Sequence, residues 1–217
     1  MRFTRVLLFV LVLFAAASVT AQEMFRATLA GRHEVAPVPS QGSGEVEAVL
    51  DGNQLTVSGI FREMNGAFDA TIGGGAHIHL GLAGENGSVA LALTTVPDVD
   101  LRGGVFLESD NTFMLTEDQV TALRNRGMYV NIHTTDFPGG ELRGQLLPQA
   151  DAYYYTNLLG SNEVPVAMTQ AGGALTMELH GDTLIVVGAF DGLESDFDTE
   201  IAGGAHLHTG MAGENGG

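Results

Sequence analysis

The chain has 217 residues, enough for one large domain or two small ones, with no Cys and no Lys, nine Arg and 26 acidic residues, for a formal net charge of −17. The missing thiols exclude a disulfide scaffold, cysteine-ligated zinc, an iron–sulfur cluster and a thiol nucleophile. The acidic balance argues against nucleic acid and anionic membranes as partners, because phosphate binding rests on clustered positive charge.

In chain order, Met1-Arg-Phe-Thr-Arg5 is a basic start, Val6 to Ala17 is almost wholly apolar, and Ser18-Val-Thr-Ala21 supplies small residues before a cut at Gln22. This is the layout of a secretory signal peptide over residues 1–21, with an apolar core too short for a membrane span. It predicts a secreted protein, extracellular or periplasmic, with no stable membrane insertion after cleavage. Losing Arg2 and Arg5 takes the net charge to about −19.

Glu45–Leu50 alternates, Asp51-Gly-Asn53 turns, and Gln54–Phe61 continues, the pattern of a β-hairpin. Further strands are predicted at Ala76–Leu80, Ser88–Leu93, Gly104–Leu107, Tyr129–His133 and Glu141–Leu146, separated by Gly-rich turns. One helix interrupts them at Thr116–Arg126. Thr116 and Gln119 have capping-box spacing, Glu117 and Asp118 suit the positive helix start, and Gly127 follows its end.

Sliding the sequence by 129 places Gly74-Gly-Ala-His-Ile-His79 on Gly203-Gly-Ala-His-Leu-His208, and Gly81–Gly87 on Gly210–Gly216. Glu34-Val35, Phe61 and Phe68-Asp69 find their counterparts at Glu163-Val164, Phe190 and Phe197-Asp198 without a gap. The chain is therefore a tandem repeat. Domain 1 spans residues 22–148 and domain 2 residues 151–217. A full second copy would run on through the counterpart of Ser88–Pro148, so the sequence reads as a piece of a longer protein. Short strands at this spacing predict an all-β fold, an antiparallel Greek-key β-sandwich with one short helix, tandemly repeated.

The histidines carry the only chemistry that stands out. His77 and His79 are two apart on a strand and share a face, and in Tyr129–His133 the apolar Val130 and Ile132 alternate with Tyr129, Asn131 and His133. If the strands are neighbours, His77, His79 and His133 converge as a metal site, for which neutral imidazole is a favoured ligand of copper, zinc and iron. His206 and His208 repeat the pair in domain 2 and complete the candidate ligands. Hydrogen-bonded structural histidines are the alternative. The glycine-rich loops at 81–87 and 138–140 read as turns.

Gly75-Ala-His-Ile-His-Leu-Gly81, Gly84-Glu-Asn-Gly87, Leu115-Thr-Glu-Asp-Gln-Val120, Tyr129-Val-Asn-Ile-His-Thr134 and Pro138-Gly-Gly-Glu-Leu-Arg-Gly-Gln-Leu146 together resemble the CHRD domain, the module named from chordin and common in exported bacterial proteins. The resemblance covers nearly all of domain 1 and the matching half of domain 2, and implies an extracellular binding module. A weaker similarity, in His-x-His, a later Val-x-x-His and a Gly-Gly turn before an Arg, is to copper/zinc superoxide dismutase. It implies copper ligation by His77, His79 and His133, with Arg143 beside the metal attracting an anion. The cysteine pair, the bridging histidine and the zinc loop have no counterparts. Three functions follow: a binding module for a metal ion, copper above all, or an extracellular protein; a copper-only dismutase-like enzyme in which Arg143 is catalytic; and a metal-free adhesion module.

Overall fold

The computed structural model describes residues 21–217, so the signal-peptide region lies, but for its last residue, outside the described residues. Fourteen strands and one α-helix follow: β1 (Glu23–Ala30), β2 (Ser43–Asp51), β3 (Gln54–Arg62), β4 (Ala76–Leu80), β5 (Val89–Ala92), β6 (Val96–Pro97), β7 (Gly104–Phe106), β8 (Thr112–Met114), α1 (Glu117–Arg124), β9 (Met128–Ile132), β10 (Leu142–Gln145), β11 (Leu147–Pro148), β12 (Ala152–Leu159), β13 (Gly172–His180) and β14 (Thr183–Asp191). None of the described helices is long and apolar enough to cross a membrane.

In the first repeat one antiparallel eleven-stranded sheet runs β5-β4-β9-β10-β1-β2-β3-β7-β6, with β11 added to β1 and β8 to β3. β1 is the fold's hinge strand. It pairs along its whole length with β2, but meets β10 only where Ala30 faces Arg143 and β11 only at Phe25 and Arg26. The sheet curls there into two layers whose inner faces meet as a sandwich. Phe25, Ala27, Leu29, Val46, Ala48, Leu50, Leu55, Val57 and Phe61 face Ala76, Ile78, Val130, Ile132, Leu142 and Leu146 in a single core. The predicted hairpin, helix and alternation are present. α1 begins with the capping box, the Thr116 side chain accepting from Gln119 N while the Gln119 side chain accepts from Thr116 N. Asn111 ties the free ends of the curl, accepting from Thr94 N through Oδ1 (2.8 Å) and donating through Nδ2 to the carbonyls of Thr94 and Leu107 (2.9 and 3.0 Å).

Strand alternation sends Ala76 and Ile78 of β4, and Val130 and Ile132 of β9, to the core. It sends His77, His79, Tyr129, Asn131, Arg143 and Gln145 to the outer face. That polar outer face is not left in water. The segment after β1, the 81–87 loop and the second repeat cover much of it.

The second repeat forms a three-stranded sheet, β12-β13-β14, which docks with its outward side. Ala174 and Thr176, buried there, replace the exposed Glu45 and Glu47 of the first repeat, so two charges that would have to be desolvated are absent. The charge that this face gains, Glu178 in place of Val49, is paired: Arg126 Nε and Nη2 donate to Glu178 Oε1 and Oε2 at 2.9 and 2.8 Å, with Glu178 2% exposed. Tyr155 packs on His33 with ring centroids 3.9 Å apart, and Ala189 N donates to Ala83 O at 2.8 Å. The opposite side of this sheet carries Leu184, Val186 and Phe190, each about 40% exposed, whose counterparts Leu55, Val57 and Phe61 are fully buried.

Candidate metal site

β4 and β9 are hydrogen-bonded neighbours, with His77 opposite Asn131 and His79 opposite Tyr129. β9 ends at Ile132, one residue short of the predicted end, and His133 follows it with its backbone N–H held by Gly75 O at 2.8 Å. One ring nitrogen from each of His77, His79 and His133 lies within 4.8 Å of the other two, the only such cluster among the described residues.

The remaining ring nitrogens settle the tautomers. His77 Nε2 lies 2.6 Å from Gly73 O, His133 Nδ1 3.0 Å from Pro138 O and His79 Nδ1 3.0 Å from Gly87 O. A carbonyl only accepts, so each of these nitrogens carries the proton and donates. His77 Nδ1, His79 Nε2 and His133 Nε2 are then bare lone pairs. Two of them, His77 Nδ1 and His133 Nε2, face one another at 3.2 Å, and His79 Nε2 is buried without a partner. Acceptors opposed at that distance repel unless a cation, a proton or a metal ion, lies between them. Burial lowers the pKa of His79 and of His133, which favours the neutral rings. A ligand imidazole whose second nitrogen donates to a carbonyl is the usual arrangement around a bound metal.

The backbone supplying those carbonyls is itself built for the purpose. Gly73, Gly74 and Gly75 have φ of 54, 93 and 88°, and a Cβ on Gly73 would stand 2.4 Å from His77 Nε2. The 81–87 loop that presents Gly87 O is held from beneath by Arg143, which is 1% exposed. Its guanidinium sits 3.5 Å over the Tyr129 ring and donates to Leu82 O, Glu85 O and Asn86 Oδ1 at 2.9, 2.7 and 3.3 Å. Tyr129, on the strand between, stacks on His79 at 4.9 Å and 6° and accepts from Gly87 N through its hydroxyl at 3.1 Å. Arg143 thus reaches the histidines only through Tyr129 and this loop.

Sequence reasoning passed over three groups beside the triad. Glu141 is fully buried with its carboxylate accepting four hydrogen bonds, one from Thr134 next to His133. Asn131, between His77 and Arg143, donates weakly to Glu34 at 3.4 Å, while its Oδ1 and Glu34 Oε1 are both buried without partners. Burial pushes the Glu34 carboxyl up to about 8 against the pull of Arg143. A raised folded pKa means a contribution complete below the unfolded value near 4.5 and lost as pH climbs through 8. Wild-type stability should therefore fall by roughly 2–3 kcal/mol from this group between pH 6 and 9. Glu34→Gln should remove that decline in urea-unfolding midpoints; parallel pH profiles would refute the assignment.

In the second repeat His206 and His208 lie together with ring centroids 4.6 Å apart, and His208 Nδ1 meets Gly216 O at 3.0 Å as His79 meets Gly87. Ala202 replaces Gly73 there, at a φ of 48°. His33 and His180, which do not recur, belong to the repeat interface: His33 stacks on Tyr155 and His180 Nε2 lies 3.2 Å from Glu178.

A family model described as the CHRD domain matches residues 25–146 and again 154–217. No curated protein and no solved structure matches the chain.

Proposed function

Because the chain belongs to the CHRD domain family, whose members are extracellular binding modules, we propose that its first repeat binds one transition-metal ion, copper in preference to zinc, through His77, His79 and His133. The observation that supports this reading is the convergence of three bare imidazole lone pairs whose opposite nitrogens all donate to backbone carbonyls. Such a set costs energy empty and gains it when a cation enters, and the residues fit the group in number, charge and protonation. Three neutral nitrogens with no thiolate or carboxylate suit Cu(II) best in the divalent series. A three-ligand protein set leaves a position for a further ligand, which is what a bound copper would offer a partner. The binding reading is preferred to the dismutase-like one because Arg143, buried and committed to three carbonyl and amide acceptors, presents no free guanidinium to an arriving anion.

The test is titration of the metal-stripped full chain with Cu(II) and Zn(II), read by elemental analysis and electron paramagnetic resonance. One tight Cu(II) equivalent with nitrogen couplings is expected, and His77→Ala should abolish it while leaving the circular dichroism spectrum unchanged. Failure of wild type to take up either metal stoichiometrically would leave the histidines as structural groups and the protein as a metal-free extracellular module.

A further inference from the structure

Where the second repeat docks on the first, away from the histidine triad, a cleft of about 260 Å³ opens between β1, the segment after it, β10 and β12. Its composition is at odds with the rest of the molecule. The chain carries 26 acidic residues and nine arginines, yet two of those arginines, Arg26 and Arg32, line this cleft and no carboxylate does. Arg26 is held only by a 3.9 Å contact to Glu45 in which both side chains are largely exposed, and its guanidinium lies 5.3 Å from the centroid of Tyr153. Arg32 makes no ion pair among the described residues. Both guanidinium groups therefore have donors to spare.

The floor supplies the opposite polarity. His33 and Gln145 are each 6% exposed and both line the cleft. His33 Nδ1 sits 3.1 and 3.2 Å from the carbonyls of Thr28 and Arg143, so it carries the ring proton and leaves Nε2 a bare acceptor. Burial takes the His33 pKa down to about 4, and the ring is neutral at ordinary pH. Gln145 spends its amide hydrogens on Gly81 O and Arg126 O at 2.7 and 2.5 Å, which leaves Oε1 as the second acceptor. Neither His33 Nε2 nor Gln145 Oε1 has a partner in the protein. Buried acceptors left empty cost on the order of 1–3 kcal/mol each, so something else supplies their donors.

From these facts we infer that the cleft between the repeats is a binding site for a small polyhydroxylated carboxylate, of the class of a uronic acid. A carboxylate matches the paired arginines bidentately. Donors are needed for His33 and Gln145, and beside two guanidinium groups they cannot be ammonium; hydroxyls satisfy the acceptors without added charge. Tyr153 and Tyr155 stand in the same wall, with one face of each ring already met by Arg26 and His33, and add apolar surface for the carbon skeleton of a pyranose. The volume falls just under the range of drug-sized sites and fits one sugar ring rather than a long chain. Because one wall is β12, the site exists only with the repeats docked.

The experiment is a heteronuclear NMR titration of the full chain with D-glucuronate, D-glucose and acetate in turn. A chelator is present so that carboxylate ligation of a metal at the triad contributes nothing. Saturable shifts at His33, Gln145 and Tyr155 are expected with glucuronate, at least tenfold weaker with glucose, which lacks the carboxylate, and with acetate, which lacks the hydroxyls. Arg32→Ala, at an exposed side chain that the fold does not use, should weaken glucuronate binding tenfold or more. Absence of saturable shifts, equal affinity for glucose and glucuronate, or an unaffected Arg32→Ala variant would each overturn the assignment and leave a solvent-filled groove.

Discussion

Glu141→Ala is expected to lower the stability of the protein by roughly 3–5 kcal/mol, more than any other single polar substitution in the first repeat. The side chain is fully buried on the loop before β10, and each oxygen accepts two hydrogen bonds. Oε1 takes Ser40 Oγ at 2.5 Å and Asn65 N at 2.6 Å; Oε2 takes Gly66 N at 3.0 Å and Thr134 Oγ1 at 2.7 Å. Burial alone would push this carboxyl up. The bonds from Ser40, Thr134, Gly66 and Asn65 outweigh it and hold the pKa below the ordinary value. Its contribution is therefore present above the unfolded pKa and is lost as pH falls through the folded one. Alanine leaves four donors without an acceptor, two of them backbone N–H groups, of which that of Gly66 is buried. Urea unfolding at pH 7 measures the cost, and a loss below about 1 kcal/mol would show that solvent replaces the carboxylate. Glu141→Gln should cost less, because one oxygen remains, but its amide hydrogens would face donors. Thr134 adjoins His133, so metal affinity should fall in the alanine variant along with stability.

Glu141 also marks the limit of what the sequence discloses. Alternation places Ala76–Leu80 and Tyr129–His133 on strands, and period two puts His77, His79 and His133 on outward faces, because a strand has no other way to arrange those residues. The capping box of α1 is legible for the same local reason. The offset of 129 shows the repeat. What stays hidden is set by partners distant in the chain. β6 and β11, two residues each, exist only because β7 and β1 pair with them. β1 itself alternates cleanly through Phe25, Ala27 and Leu29, but stands directly after the apolar leader and escapes notice beside it. Glu34 and Glu141 are two among 26 acidic residues, and only the fold shows which are buried. Arg143 follows a Gly-Gly turn, the position at which similarity to the dismutases places an anion-attracting group; that it also stacks on Tyr129 and donates to three acceptors in the 81–87 loop only the fold shows. One signal was available and unused. Aligned repeats that differ by Glu45 against Ala174 and Glu47 against Thr176 mark two positions of the second repeat that are uncharged where they are buried against the first, while Glu178 in place of Val49 brings a carboxylate that Arg126 pairs.

That asymmetry between repeats carries the largest expected effect on metal binding. In the full chain, copper titration should resolve two classes of site, a tight one at His77, His79 and His133 and one at His206 and His208 weaker by tenfold or more, corresponding to at least about 1.4 kcal/mol. Two structural differences point the same way. The second pair has no third histidine within reach among the described residues. It also has Ala202 where the first repeat has Gly73, and a Cβ on Gly73 would stand 2.4 Å from His77 Nε2, the nitrogen that donates to Gly73 O. No such bond orients His206, while the one on His208, to Gly216 O at 3.0 Å, is retained. The second pair is thus a two-ligand set with one ring fixed and one not. His133→Ala should convert the tight class into a second weak one, leaving total copper unchanged at saturation. The double replacement of His206 and His208 by Ala should remove the weak class and leave the tight one as it was. Equal affinities in wild type, or a tight class that survives His133→Ala, would mean that the His-x-His pair alone sets the affinity and that the convergence of three lone pairs is incidental.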